Sequence, residues 1–175
     1  NAAIARKLAA LERAPLGIDT AEDFRISIAG VQEKTALLYY NDAWHVPHGA
    51  TPTTHILKPQ IGMLGGYDLS QSVENEHFCM QLLAAMGLPV ADTAIENFNG
   101  QRVLVITRFD RRWTKDNRLL RLPQEDCCQA LSVPPTLKYE ADGGPGMVEI
   151  LELLKGADRP RTDQETFLQA QIAFW

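Results

Sequence analysis

The sequence predicts an α+β protein, with an antiparallel sheet toward the N-terminal half of the chain and helices after it. Strand-like segments with alternating apolar residues lie at 35–40, 53–58, 91–98 and 101–109, and a single strong helical pattern at 69–87 divides them. After Leu122 the patterns are mainly helical. This separation of strands from helices along the chain is typical of an α+β architecture.

Composition and charge exclude several classes of protein. The 175 residues are 45% hydrophobic and carry a net charge of −5, so strong direct binding to nucleic acid is not expected. No apolar run is long enough to span a membrane. The three cysteines and four histidines show neither a disulfide framework nor metal-ligand spacing. These features favour a cytoplasmic location and predict no metal site within this chain.

The N-terminal elements follow from local spacing. Ile4, Leu8 and Leu11 recur at helical intervals and predict a helix over 2–12, which a linker follows. A hairpin is predicted over 25–40, with the turn "AGVQEK" at its tip, and further strands at "AWH" and "TTHILK". Asn99-Gly100 is a strong signal for a hairpin turn between the last two strands.

The helix over 69–87 has clear boundaries. Asp68 or Ser70 is the expected N-cap, Gly87 stands at the expected C′ position, and Pro89 prevents continuation. On this helix, Glu76 shares a face with Cys79, Met80 and Leu83 by i, i+3, i+4, i+7 spacing.

Three helices are predicted in the C-terminal part. One begins near Pro123, one follows "DGGPG" with Pro145 in its first turn and Gly156 at its end, and one opens with a Thr162-x-x-Glu165 capping box. The sequence stops on the apolar run "FLQAQIAFW" without an ending signal, so we expect the native fold to continue beyond it.

Lys58 and Glu76 are the first pair that could carry chemistry. Lys58 ends an apolar strand, and Glu76 lies within or beside an apolar stripe, where a carboxylate needs a cationic partner. A strand lysine followed by a helix glutamate is the arrangement with which protein kinases hold phosphates. Two alternatives stay open at this point: Lys58 as a solvated strand-end lysine, and Glu74 as its partner.

Two further segments are candidates. The turn "AGVQEK" offers small residues, backbone N–H groups and a cation, which suits a phosphate, although a plain hairpin explains it equally well. The segment "VITRFDRR" leaves a strand into a charged connector and could present backbone groups to an adenine edge, or could simply be a solvated turn.

Several blocks together resemble one family. "RISIAGVQEKTALL", "TPTTHILK", "DLSQSVENEHFC", "RFDRRW", "LLRLPQEDCCQAL" and "KYEADGGPG" resemble the HipA family of serine/threonine-kinase toxins from bacterial toxin–antitoxin pairs. The resemblance runs from about Asp23 to Gly146 in order and with similar spacing, and more loosely to Trp175.

The resemblance implies a protein-kinase-like fold that binds ATP and Mg²⁺ between two lobes. It divides the chain into a helix and linker (1–22), a nucleotide-covering lobe (23–109) and the truncated start of a helical lobe (110–175). Lys58 matches the phosphate-holding lysine, with Glu76 as its candidate partner, and Ser27 matches a serine that HipA kinases autophosphorylate to silence themselves. The remaining nucleotide-contacting positions are the loop residues Ala29, Gly30, Val31, Gln32, Glu33 and Lys34 and the hinge residues Thr107, Arg108 and Phe109.

The chain departs from the family pattern in two ways. Thr107 stands where family members carry a glutamate, and the family's catalytic loop and later metal-binding aspartate do not occur in this sequence. Asp110, Asp126 and Asp142 do not lie in such contexts. We therefore expect no catalytic base and no Mg²⁺ ligand within this chain, and no activity from the chain alone.

The resemblance also implies partners. These are a small DNA-binding antitoxin (HipB-like) and a protein substrate such as an aminoacyl-tRNA synthetase. Two alternatives remain beside the toxin kinase: a non-catalytic split or degenerate kinase half that binds or regulates another chain, and a small-molecule or lipid kinase with the same lobe.

Overall fold

The computed structural model describes residues 2–9, 11 and 32–174, which divide into two units, one up to Leu122 and one from Pro123. The lobe boundary after Phe109 stays a prediction. The linker after the first helix, the first strand of the hairpin over 25–40, Ser27 and the loop residues 29–31 lie outside the described residues. In the described ranges, no helix is both long and apolar enough to cross a membrane.

The first unit is built on a five-stranded antiparallel sheet, whose strands lie in the order β2 (Ala43–His45), β1 (Thr35–Tyr40), β3 (His55–Pro59), β7 (Gln101–Thr107) and β6 (Thr93–Phe98). The predicted α+β class is confirmed. Asn99 and Gly100 adopt φ values of 52° and 87° between β6 and β7, which is the left-handed conformation that a tight hairpin turn needs.

The sheet has two faces with different partners. We call the outer face the one that carries Leu57 of β3 and Val103 and Val105 of β7, which alternate with inner-face residues along each strand. Helix α1 (Ala2–Ala9) supplies Ile4 and Leu8 to the same core. As the sequence predicted, the apolar stripe of α1 is buried; the rest of the cluster is Leu11, Leu37 and Phe98.

The inner face carries Lys58 and, opposite it in the register, Leu104. Helix α2 (Ser72–Ala85) packs against β6 and β7 on this face, and His77 Nδ1 lies 2.8 Å from Thr93 Oγ1 of β6. Its C-terminal end is as predicted: Gly87 has a φ of 82°, its N–H donates to Ala84 O, and the Leu88 N–H donates to Leu83 O, a Schellman motif.

The predicted N-cap of α2 is wrong. The N-cap residue is Gln71, without a side-chain cap, because Asp68 Oδ1 instead accepts a hydrogen bond from the backbone N–H of Ser70. Asp68 lies in β5 (Tyr67–Leu69), which pairs with β4 (Gly62–Leu64) in a small hairpin. Neither strand was predicted, since each has only three residues and Gly65-Gly66 between them obscures the alternation.

The first unit ends with a second small hairpin, β8 (Arg111–Trp113) and β9 (Leu119–Arg121). The Trp113 ring stacks on Tyr40 of β1 with ring centroids 5.4 Å apart. The hairpin is therefore packed onto the five-stranded sheet.

The second unit contains α3 (Cys127–Ala130), α4 (Met147–Leu153) and α5 (Pro160–Phe174). Asp126 is the N-cap of α3 and forms a capping box with Gln129, so this helix begins a few residues after the predicted start near Pro123. Two predicted boundaries are wrong: Pro145 precedes the N-cap Gly146 instead of entering α4, and Thr162 lies inside α5 instead of capping it. In α5 the proline at 160 occupies the first position, where its missing N–H costs nothing.

Candidate functional site

Lys58 and Glu76 form an ion pair across the inner face. Lys58 Nζ lies 2.6 Å from Glu76 Oε1, and both side chains are partly buried, with 21% and 33% of their surfaces exposed. The even-numbered residues of β3 face α2, so Lys58 points toward this helix. Glu76 lies in the second turn of α2. The structure thus brings together the two residues that the sequence paired.

Glu74, the competing partner, is occupied elsewhere. Its Oε1 lies 2.8 Å from Arg102 Nε, and its carboxylate accepts hydrogen bonds from Gln60 Nε2. The interpretation of Lys58 as a solvated lysine at the end of a strand is also wrong, because its ammonium is held by Glu76.

Lys34 adds a second cation at the same place. Thr35 pairs with Leu57, so extending the register by one residue sets Lys34 opposite Lys58 on the inner face. Lys34 is only 4% exposed. Burial and the positive charge of Lys58 lower its pKa, while Glu33 and Glu76 act in the opposite direction.

The described part of the predicted phosphate loop is therefore adjacent to the ion pair. Gln32 Nε2 donates to the carbonyl of Pro59, the residue after Lys58, at 3.4 Å. The sequence placed the loop beside Lys58, and the structure does the same for Gln32, Glu33 and Lys34. The other loop positions, Ala29, Gly30 and Val31, are outside the described residues.

The predicted hinge lies on the neighbouring strand. Thr107 pairs with His55 and Leu104 pairs with Lys58, so three residues, roughly 10 Å of strand, separate the two sites. The Thr107 side chain lies on the outer face with His55. The Thr107 N–H donates to Asp92 O, and the Arg108 N–H donates to Thr54 O. Phe109 is 76% exposed. The side chain of Thr107 is thus on the opposite face of the sheet from Lys58.

A buried charge cluster after β7 was missed. Asp110, only 6% exposed, accepts two hydrogen bonds from Arg108, of 2.9 and 2.7 Å, and one of 2.6 Å from Arg111. The motif "RFDRR" was quoted in the sequence, but nothing in it shows that the aspartate is buried.

The hydrogen bond from Arg108, together with the charges of Arg108 and Arg111, holds the pKa of Asp110 below its usual value, against the opposing effect of burial. The stabilisation of the folded state by the ionised Asp110 is complete above the ordinary pKa of aspartate, about 3.9. It is lost as the pH falls through the lower pKa of the folded state.

The two lysines described at this site suit phosphate oxygens. Lys34 and Lys58 supply cations on one face, as phosphate oxygens require. Within the described ranges, no group of three or more His, Cys, Asp or Glu side chains could hold a metal ion. A cavity of about 270 Å³ lies on the outer face and is lined by Tyr39, Trp44, His55, Asp92 and Glu96 among others. Its lining includes no lysine or arginine, so it does not suit a phosphate.

Comparison with known proteins gives matches over most of the chain. The family model described as HipA-like C-terminal domain matches residues 26–175. A putative kinase, Y4mE, of Sinorhizobium fredii is 42% identical over 173 residues, which cover 98% of this chain and 40% of that protein. The serine/threonine-protein kinase toxin HipA of Shewanella oneidensis is 35% identical over 123 residues, which cover 70% of this chain and 27% of that protein.

A solved structure gives the same result for the fold. A chain from the Shewanella oneidensis MR-1 complex of HipA, HipB and operator DNA matches with a TM-score of 0.69 and 29% identity, covering 89% of this chain and 37% of that one. The fold is of the protein-kinase-like class. The chain belongs to the HipA-like C-terminal domain family. It spans at most about 40% of the length of the relatives described here.

Proposed function

We propose that the protein containing this chain is an ATP-dependent serine/threonine protein kinase and the toxin of a bacterial toxin–antitoxin pair. The observation that carries the proposal is the 2.6 Å ion pair between Lys58 of β3 and Glu76 of α2. A lysine on the third strand that is paired to a glutamate on the following helix is what a kinase uses to place ATP phosphates.

Each group in the proposed site has a distinct task. Glu76 orients the Lys58 ammonium, which binds phosphate oxygens as a point charge. Lys34 adds a second amine beside Lys58. A bound phosphate favours its charged form, against the effect of burial, which lowers its pKa. The loop over 29–34 covers the phosphates, and residues 107–109 meet the adenine. Mg²⁺, when bound, neutralises charge on the phosphate oxygens, and its ligands and the catalytic base lie in another part of the protein.

Nucleotide binding is the experiment that tests this function. The intact protein is titrated with a fluorescent ATP analogue in the presence of Mg²⁺, and unlabelled ATP is then used to displace it. We expect saturable binding that ATP reverses, and we expect Lys58→Met to weaken it. Absence of binding by the intact protein would contradict the proposal.

Glu76→Gln tests the ion pair directly. The amide keeps the shape of the side chain but removes the charge that fixes Lys58, so we expect kcat for phosphoryl transfer to fall roughly 100-fold, as for misplaced catalytic groups. Steady-state kinetics of the intact protein give this value. Glu74→Gln is the matched control, because Glu74 lies on the same helix and pairs with Arg102. Equal loss in both variants would show that α2 matters only for folding.

Autophosphorylation of Ser27 is proposed as the off switch of the enzyme. A phosphate there adds up to two negative charges beside a loop that must approach ATP phosphates, and repulsion opposes nucleotide binding. We expect Ser27→Ala to abolish phosphate incorporation at this segment, measured by phosphopeptide mapping after incubation with ATP. Ser70→Ala is the control. A Ser27→Ala protein that still incorporates as much phosphate as the wild type, on peptides other than the one containing residue 27, would refute the assignment.

The proposed partners follow from the structural neighbour and from the family resemblance. A HipB-like antitoxin is proposed because the structural neighbour was solved with HipB and its operator DNA. An aminoacyl-tRNA synthetase is proposed as a substrate, a contribution to persistence as the physiological effect, and the cytoplasm as the location. With its net charge of −5, this chain suits an arrangement in which the antitoxin makes the main DNA contacts.

A second function is a non-catalytic binding or regulatory half-kinase. It is the second interpretation of the sequence, in which the family's catalytic loop does not occur among residues 1–175. Labelled ATP separates the two candidates, because a binding module binds nucleotide without transferring the γ-phosphate to protein.

A further inference from the structure

We propose that Asp110 is a positioning residue for the nucleotide base, and that it acts by fixing the backbone of Phe109. This inference rests on the proposed function, in which residues 107–109 meet adenine. We call Asp110, Arg108 and Arg111 the connector clamp. None of its three members was among the residues to which the sequence gave a side-chain role.

The clamp is a closed set of charge-assisted hydrogen bonds. Arg108 uses Nε and Nη2 on the two oxygens of Asp110, the planar two-pronged geometry that arginine alone provides. Arg111 Nη1 donates to Asp110 Oδ2 and also to the Asp110 carbonyl, at 2.9 Å. The two arginine side chains are each 10% exposed and that of Asp110 is 8% exposed, so little water screens the cluster.

The clamp also ties the connector to the strand that carries Lys58. Arg108 Nη1 donates to Thr53 Oγ1 at 3.3 Å, and Arg111 Nε donates to the Thr53 carbonyl at 2.9 Å. Thr53 lies just before β3, at the opposite end of that strand from Lys58. The distance between the phosphate site and the connector is therefore fixed by one strand and its cross-links.

The backbone is hydrogen-bonded on both sides of Phe109, whereas the side chain of Phe109 is exposed. The Arg108 N–H donates to Thr54 O, and the Asp110 carbonyl accepts from the Leu122 N–H, each at 2.9 Å. By contrast, no described residue accepts a hydrogen bond from the Phe109 N–H, and the residue is 76% exposed. Of the three hinge positions, Phe109 thus has the backbone donor that is available to a ligand.

A donor that is already fixed binds more tightly because less conformational entropy is lost on association. The clamp would therefore act on the base and not on the triphosphate, which the Lys58 side of the site binds. Loss of the clamp should lower affinity for ATP, while affinity for a ligand that has only phosphates should stay the same.

The test is a comparison of two probes on the intact protein. Dissociation constants for ATP and for inorganic triphosphate are measured by isothermal titration calorimetry for the wild type, Asp110→Asn and Arg108→Lys. We expect Asp110→Asn to raise the Kd for ATP about tenfold, with the Kd for triphosphate unchanged. Arg108→Lys keeps the charge but loses the two-pronged contact, so it should shift ATP affinity in the same direction.

Two controls accompany these variants. Asp116→Asn neutralises an exposed aspartate of the same connector region and should change neither Kd. Lys58→Met should give the opposite pattern, with affinity lost for both probes. If Asp110→Asn does not fold, Arg108→Lys still provides the comparison.

The outcomes separate this inference from the proposed function. Equal loss of ATP and triphosphate affinity in the clamp variants would make the clamp merely structural and overturn the inference. ATP affinity unchanged in both clamp variants would overturn it as well. A wild-type protein that binds both probes equally would remove the base contact but leave the phosphate site. A wild-type protein that binds neither would refute the proposed function and the inference with it.

Discussion

Lys58→Met is expected to lower kcat for phosphoryl transfer by about 10²–10³-fold, the usual loss when one electrostatic contact to developing charge is removed. The substitution keeps the length and apolar stem of the side chain, so β3 should keep its packing. The rate of phosphoryl transfer is measured with radiolabelled ATP and the intact protein, and thermal unfolding of the same preparation gives its stability.

Lys115→Met is the matched control for this prediction. Lys115 is exposed in the turn between β8 and β9, away from the Lys58–Glu76 pair, and its loss should leave kcat within a factor of two or so. Wild-type activity in Lys58→Met would contradict the assignment of Lys58 as the phosphate-holding lysine.

Gly144→Ala is expected to destabilise the second unit by about 3 kcal/mol, near the upper end of the cost of overpacking. A Cβ atom at this position would collide with backbone atoms of Leu137, Lys138 and Tyr139, which have no flexible end that could move aside. The Gly144 N–H also donates to the Tyr139 carbonyl, so the turn cannot easily retreat.

Hydrogen exchange of the chain provides the measurement, because the amides of α4 follow this turn and should lose protection. Gly156→Ala is the control: its Cβ would meet nothing within 4 Å, so we expect a change below about 1 kcal/mol. Equal protection of α4 in the wild type and Gly144→Ala would show that the turn relaxes without cost.

The sequence predicted those parts of the fold that depend on local patterns. The strand at 35–40, the strand predicted over 101–109 and observed over 101–107, the turn at Asn99-Gly100 and the C-terminal end of α2 each have a signal within a few residues. The boundaries at Pro145 and Thr162 were wrong because the Glu149 side chain accepts a hydrogen bond from the Gly146 N–H, which starts α4 one residue later, and because Pro160 already suits the first position of α5.

The candidate site was predicted only in part, for a physical reason. Lys58 and Glu76 could be paired because a carboxylate in an apolar stripe needs a cation, and only a few candidates were near in sequence. The bonds from Arg108 and Arg111 to Thr53 join residues 55 and 58 positions apart, and their existence depends on how β3 and β7 align. No pattern within "RFDRR" contains that information, so the burial of Asp110 could be seen only in the folded chain.

Transfer of labelled phosphate tests the central claim most directly. The intact protein is incubated with [γ-³²P]ATP and Mg²⁺, and the labelled residues are identified by phosphoamino-acid analysis and peptide mapping. We expect phosphoserine in the wild type, located at Ser27, and none in Lys58→Met. A protein that binds ATP but incorporates no phosphate into itself or into any protein substrate would contradict the kinase assignment and favour the binding module.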